Sequence, residues 1–169
     1  THKREWIEDL NRLPQPAWDL FPLEKYVLPF INKKYLLVET SRGCPFACDF
    51  CVAPLIHGLK FREKQPEVVV GEIEDLKAKY EIEYFYLFGD TVTLNKKFID
   101  KFCDELIQRN LKIHWLTNTR ADTLYDVELV RKMKASGCWM LSIGIESYNA
   151  ETREGMHKKL GTDKIREAI

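Results

Sequence analysis

The chain has 169 residues, 45% hydrophobic and 31% charged, and its 26 basic and 26 acidic residues give a formal net charge of zero. That size and mixture fit one ordinary globular domain, and the balance of charge gives no bulk electrostatic reason to expect a nucleic-acid partner. No apolar stretch is long enough to cross a bilayer, and the opening Thr1-His2-Lys3-Arg4-Glu5 lacks the apolar core of a signal peptide, so no membrane partner is expected.

In chain order, Trp6, Leu10 and Leu13 recur at helical spacing and predict a short helix that Pro14 stops. The Pro-rich run from Leu13 to Tyr26 reads as an extended segment packed on the body. Tyr35 to Thr40 is a short apolar run, expected to be the first strand. Glu67 to Tyr80 is expected to be helical, with Val69, Ile73, Leu76 and Tyr80 on one face. Tyr84 to Phe88 reads as a strand buried on both faces. Asn95 to Arg109 predicts a second helix, Ile113 to Leu116 a strand, and Asp126 to Ser136 a helix with Asp126 as N-cap and Gly137 as stop. Trp139 to Ile145 is a fourth strand, and a last helix starts at Thr162. The βα rhythm, four times over, predicts right-handed crossovers and a mostly parallel sheet. In such sheets ligands gather at the carboxyl ends of the strands.

Five cysteines, an odd number with no secretion signal, point to a reducing compartment, the cytoplasm. Cys103 and Cys138 fit as core residues. The other three form Cys44-Pro45-Phe46-Ala47-Cys48-Asp49-Phe50-Cys51, a CxxxCxxC loop placed directly after the first strand. Such a loop can bring three thiolates onto three irons of one 4Fe–4S cluster and leave the fourth iron open for chemistry. Gly43 and Pro45 favour a tight turn with backbone amides near the cluster. The alternative is zinc, with His57 as a fourth ligand.

With its spacing and the aromatic Phe50 before the last cysteine, the run Thr40 to Cys51 resembles the cluster loop of the radical S-adenosylmethionine (radical SAM) superfamily. The resemblance implies a partial barrel of six βα units, about four of which are held here. It also implies a cluster on Cys44, Cys48 and Cys51 whose open iron binds the amino and carboxylate groups of S-adenosylmethionine. An electron donor such as flavodoxin or ferredoxin would reduce the cluster, and cleavage of the sulfonium would give a 5′-deoxyadenosyl radical that abstracts hydrogen from an unidentified substrate.

The resemblance further implies cofactor contacts at the strand ends. Phe88-Gly89-Asp90 is similar to the family's glycine-rich motif, in which Gly89 would allow close backbone approach and Asp90 would meet the cofactor ammonium. Arg120, with Asn118 beside it, would fork onto the methionine carboxylate. Ser142 and Glu146 resemble the residues that take the ribose hydroxyls or the amino group. Plainer readings stand beside these: a strand-to-loop turn at 88–90, an Arg120–Asp122 surface pair, and a structural Glu146–Arg120 ion pair. Lys158 and Lys159 are similar to a basic loop near the cofactor; taken alone they are a solvated charge pair. His57 and His114 read as core or loop histidines, and Trp115 and Trp139 as core aromatics.

Leu13 to Leu20, with Tyr26, resembles the connector that follows a cobalamin-binding domain in cobalamin-dependent members. Cobalamin is therefore expected only in a longer parent protein. The chain does not begin with Met and is expected to be a piece comprising residues 1–30, a helix plus connector, and 31–169, a radical SAM core truncated at its C-terminus. The expected function is reductive cleavage of S-adenosylmethionine within a methylation or cyclisation. The alternatives are a methylthiotransferase-like enzyme acting on RNA or ribosomal protein, and a non-catalytic iron–sulfur or zinc module.

Overall fold

The computed structural model describes residues 4–124 and 126–169; residues 1–3 of the expected N-terminal segment lie outside them. The elements are β1 (Val27–Leu28), β2 (Lys33–Glu39), β3 (Ser41–Arg42), α1 (Ala53–Ile56), β4 (Arg62–Glu63), α2 (Pro66–Tyr80), β5 (Tyr84–Phe88), α3 (Lys96–Gln108), β6 (His114–Arg120), α4 (Val127–Ala135), β7 (Cys138–Gly144), α5 (Ala150–Gly155) and α6 (Thr162–Ala168). Strands β2, β5, β6 and β7 pair in parallel in that order, and β1 closes the β2 edge antiparallel. This is a mixed α/β sheet of partial-barrel type with four βα units, as expected.

Local chemistry sets the boundaries. Pro66 opens α2 at a position that needs no backbone N–H. The Asn95 side chain caps α3 by accepting from Lys97 N, and Asp126 caps α4 by accepting from Leu129 N. Gly137 ends the turn after α4 at φ 103°, where a Cβ would run into the Ile113 carbonyl.

Alternation along the strands sorts two faces. Leu36, Val38, Phe85, Leu87 and Trp115 face the helices and are buried against Val69, Ile73, Phe98, Phe102, Leu106 and Met133. Cys103 and Cys138 belong to this core, and burial pushes their thiols up to about 11 and about 12. The opposite face of the same strands carries Tyr84, Tyr86, Leu116 and Asn118. On β5 that face is only half covered, so the both-sided burial expected for Tyr84–Phe88 holds on the helix side alone.

The register between β6 and β7 jumps at one place: Trp115 faces Cys138, but Leu116 faces Met140. The extra residue, Trp139, keeps Ser142 and Gly144 in line with Asn118 and Arg120; without it every later side chain of β7 would change faces.

Two further expectations change. The helix expected from Trp6 to Leu13 is a single 3-10 turn, Leu10–Arg12, capped by Asp9. Its apolar spacing serves packing of irregular chain, with Leu10 fully buried. The third inner strand runs on to Arg120, four residues past the apolar run, because Thr117 and Thr119 bury their hydroxyls in hydrogen bonds to Leu87 O, Thr93 and Thr123.

Phe102 is fully buried, stacked on Phe98 and edge-on to Trp115 with ring centroids 5.5 Å apart. Phe102→Ala is expected to lower the unfolding free energy by about 3–5 kcal/mol, read from urea or guanidinium midpoints.

Candidate cofactor site at the carboxyl edge of the sheet

The cysteine loop spans 43–61, between β3 and β4, which pair as a small antiparallel ribbon. Gly43 starts it at φ 85°, where a Cβ would clash with the Lys60 carbonyl. Asp90, at the end of β5, reaches across: its Oδ2 accepts from Gly43 N at 2.7 Å and from His57 Nδ1 at 2.9 Å. Gly89 lies against the end of β2 and the start of β3, where a Cβ would strike Ser41 Oγ and crowd Thr40 Oγ1. The return leg is held by Arg62, which is buried, donates to Ile7 O and His57 O, and lies 5.5 Å from the Trp6 ring centroid. Lys60 pairs with Glu8.

A third support comes from the far side of the sheet. Asp49 N donates to Met156 O at 3.1 Å, and His157 Nδ1 lies 2.7 Å from Asp49 Oδ1. Lys158, next along, is 5% exposed; its Nζ donates to Glu146 Oε1 at 2.8 Å and lies 5.7 Å from the Phe50 ring centroid. It is therefore not the solvated charge of the plain reading. Lys159 remains exposed.

These supports leave a cleft of about 290 Å³ lined by Cys44, Cys48, Cys51, Phe50, Asp90, Asn118, Arg120, Ser142 and Glu146, together with Phe46, Thr91, Thr119, Gly144 and Lys158. Every site residue expected from the sequence borders it except Gly89. All three cysteines are free thiols, and Thr91 Oγ1 lies 3.6 Å from Cys44 Sγ. Three soft sulfur donors bordering one cleft suit, by their chemistry, a 4Fe–4S cluster held by the protein at three corners. Among the described residues, no three His, Cys, Asp or Glu side chains are gathered for a single metal ion.

Arg120 takes the partner of the plainer reading, Asp122, but as a buried group rather than on the surface. Arg120, 6% exposed, has its Nε and Nη2 engaged by Asp122 at 2.9 and 2.8 Å, while its guanidinium lies 3.7 Å from the Phe46 ring centroid. Glu146 pairs with Lys158 rather than Arg120. Burial raises the Cys48 thiol pKa, and the charges of Arg120 and Lys158 work against that rise. Asn118 hydrogen-bonds the Tyr86 hydroxyl, whose pKa burial raises. Phe46 was missed as a site residue, although an aromatic between Cys44 and Cys48 with an arginine at a strand end was the available signal. Thr91 and Thr119 carry no signal of their own in the sequence.

A parallel βα sheet with its sulfur loop and polar strand ends all at the carboxyl edge has the build of a partial-barrel enzyme that binds its cofactor there. The family model described as the radical SAM superfamily matches residues 38–169. The chain belongs to that superfamily, whose enzymes use a 4Fe–4S cluster and S-adenosylmethionine. The anaerobic magnesium-protoporphyrin IX monomethyl ester cyclase of Rubrivivax gelatinosus is 33% identical over 164 residues, covering 96% of this chain and 29% of that protein. An uncharacterized methyltransferase of Pyrococcus horikoshii is 32% identical over 166 residues, covering 98% of this chain and 36% of that protein. The chain thus spans about a third of the length of these curated relatives.

Among solved structures, the apo form of the cobalamin-dependent S-adenosylmethionine radical enzyme OxsB has a TM-score of 0.70 at 21% identity over 97% of this chain and 25% of that chain. The radical S-adenosylmethionine methyltransferase TsrM from Kitasatospora setae, with tryptophan and a cofactor analogue bound, has a TM-score of 0.67 at 20% identity over 72% of this chain and 24% of that one. At these identities the structures speak for the fold. The methylthiotransferase and binding-module readings find no support among these relatives. Among the described residues, no helix is long and apolar enough to cross a membrane.

Asp90→Ala removes two hydrogen bonds to a carboxylate, each worth about 1.5–3 kcal/mol. The expected result is faster amide hydrogen exchange across residues 43–61, with exchange in α3 unchanged.

Proposed function

We propose that this chain is the cluster- and cofactor-binding part of a cobalamin-dependent radical SAM enzyme that methylates or cyclises a small-molecule substrate. The observation that carries the reading is the single cleft in which the three free cysteines meet Glu146, Ser142 and Asn118. The names of the relatives, methyltransferases and cyclases, support the reaction class, and the OxsB likeness supports a cobalamin domain elsewhere in the parent protein.

Cys44, Cys48 and Cys51 would hold the cluster through Sγ. When bound, the cluster and S-adenosylmethionine supply reductive cleavage of the sulfonium and a carbon radical for hydrogen abstraction. The protein's own groups bind, orient and exclude water. The Glu146 carboxylate would receive the methionine ammonium, and Lys158 fixes its position through Oε1. Asn118 and Ser142, opposite one another in register, offer an amide and a hydroxyl to the ribose. Phe50 walls the cleft beside Cys51. Arg120 sets a fixed positive charge near Cys48 and packs Phe46 against the sheet. Asp90 acts on the loop more than on the cofactor, holding Gly43 and His57, and Gly89 gives room to the Ser41 and Thr40 side chains just before the loop. An electron donor of the flavodoxin or ferredoxin class, in the cytoplasm, would reduce the cluster. Residues 1–30 serve as the connector and 31–169 as part of the catalytic core.

In the full protein, anaerobic reconstitution followed by dithionite and S-adenosylmethionine is expected to release 5′-deoxyadenosine. Cys48→Ala is expected to abolish cluster assembly and to bring that release to background. Full iron and sulfide content in Cys48→Ala would overturn the ligand assignment.

A further inference from the structure

Lys158 and Glu146 form the ion pair that borders the cysteine cleft, and their surroundings differ. Lys158 is 5% exposed, enclosed between Glu146, the Phe50 ring and the backbone at Gly144. The Glu146 side chain is 38% exposed and sits on a left-handed backbone turn (φ 66°) just past the end of β7. Water therefore screens the carboxylate and not the ammonium. At the sulfurs the pair does not cancel: the field of the buried positive end outlasts that of the wet negative end. Lys158 also acts electrostatically on Cys48, as Arg120 does. The two cations differ in tethering. Arg120 is held by two hydrogen bonds to Asp122 and a third to Lys159 O, whereas Lys158 depends on Glu146.

We propose that the Lys158–Glu146 pair sets the reduction potential of the cluster bound at Cys44, Cys48 and Cys51. Lys158 raises the potential, and Glu146 limits that rise. The proposal rests on the reading of the three cysteines as cluster ligands. The step concerned is the gain of one electron by the oxidised 4Fe–4S cluster from a one-electron reductant of the dithionite class, with no bond made or broken and no proton moved. Reduction adds one negative charge beside the thiolates, so an unscreened cation stabilises the product more than the reactant. Glu146 faces the cleft and is the group proposed to take the cofactor ammonium. Engagement of Glu146 by that ammonium would then weaken its hold on Lys158 and change the potential when the cofactor arrives.

The test is EPR-monitored potentiometry on the full protein, reconstituted anaerobically and free of S-adenosylmethionine. Lys158→Met is expected to shift the midpoint to more negative potential, and Glu146→Gln to shift it to more positive potential. The double variant is expected to fall between the two, and Lys158→Arg to stay near the unmodified protein. A side chain that mattered only for packing would move both single variants in the same direction, or neither, and either result overturns the proposal. Should Lys158→Met fail to hold iron, Glu146→Gln decides alone: a positive shift supports the proposal and an unchanged midpoint overturns it. If the unmodified protein assembles no cluster, the assignment of the cysteines fails first and the proposal with it.

Discussion

One carboxylate organises the loop on which the site depends. Asp90 Oδ2 binds the first residue of the cysteine loop, at Gly43 N, and His57 well along it. A loop of this length with three reactive thiols has no reason of its own to keep a single shape. Fixing two distant points from the rigid end of β5 removes most of its freedom and lowers the entropy cost of closing it around a ligand. The geometry needs glycine at 43, where φ is 85° and a Cβ would collide with the Lys60 carbonyl; at 89 a Cβ would meet the Ser41 hydroxyl.

The loop is braced from three directions by elements far apart in sequence: Asp90 after β5, residues 6–8 through Arg62 and Lys60, and residues 156–158 through Asp49 and Phe50. The cleft that results has two buried cations, Arg120 and Lys158, each partnered by a wetter carboxylate. The cysteine cleft thus presents fixed charges of both signs, held in place before anything binds.

The fold was legible because its signals are periodic. Apolar faces, helix caps at Asn95 and Asp126 and the glycine after α4 all state their purpose within a few residues. The cysteine spacing was legible for the same reason. Partnerships across the sheet were not. Nothing near Asp90 reveals that it will bind Gly43 and His57, and nothing near Glu146 selects Lys158 over Arg120; both choices follow from strand register and from the turn at Met156–Lys158. Trp6, Leu10 and Leu13 misled because helical spacing also suits an irregular segment that drops single residues into separate pockets. Leu10 is buried while Trp6 covers Gly58. Thr117 and Thr119 broke the apolar run of β6 without ending the strand, since their hydroxyls find partners inside.

The contact between residues 6–8 and the outgoing leg of the loop makes the stretch before the barrel a mechanical part of it. Arg62 has its guanidinium between Ile7 O, His57 O and the Trp6 ring, so a pull on the chain at Trp6 is delivered within two residues to the histidine that Asp90 grips. Leu10, fully buried, and Asn11, which accepts from Gln65 N, keep this entering stretch seated, so the order of the sulfur loop is tied to how the polypeptide enters the barrel.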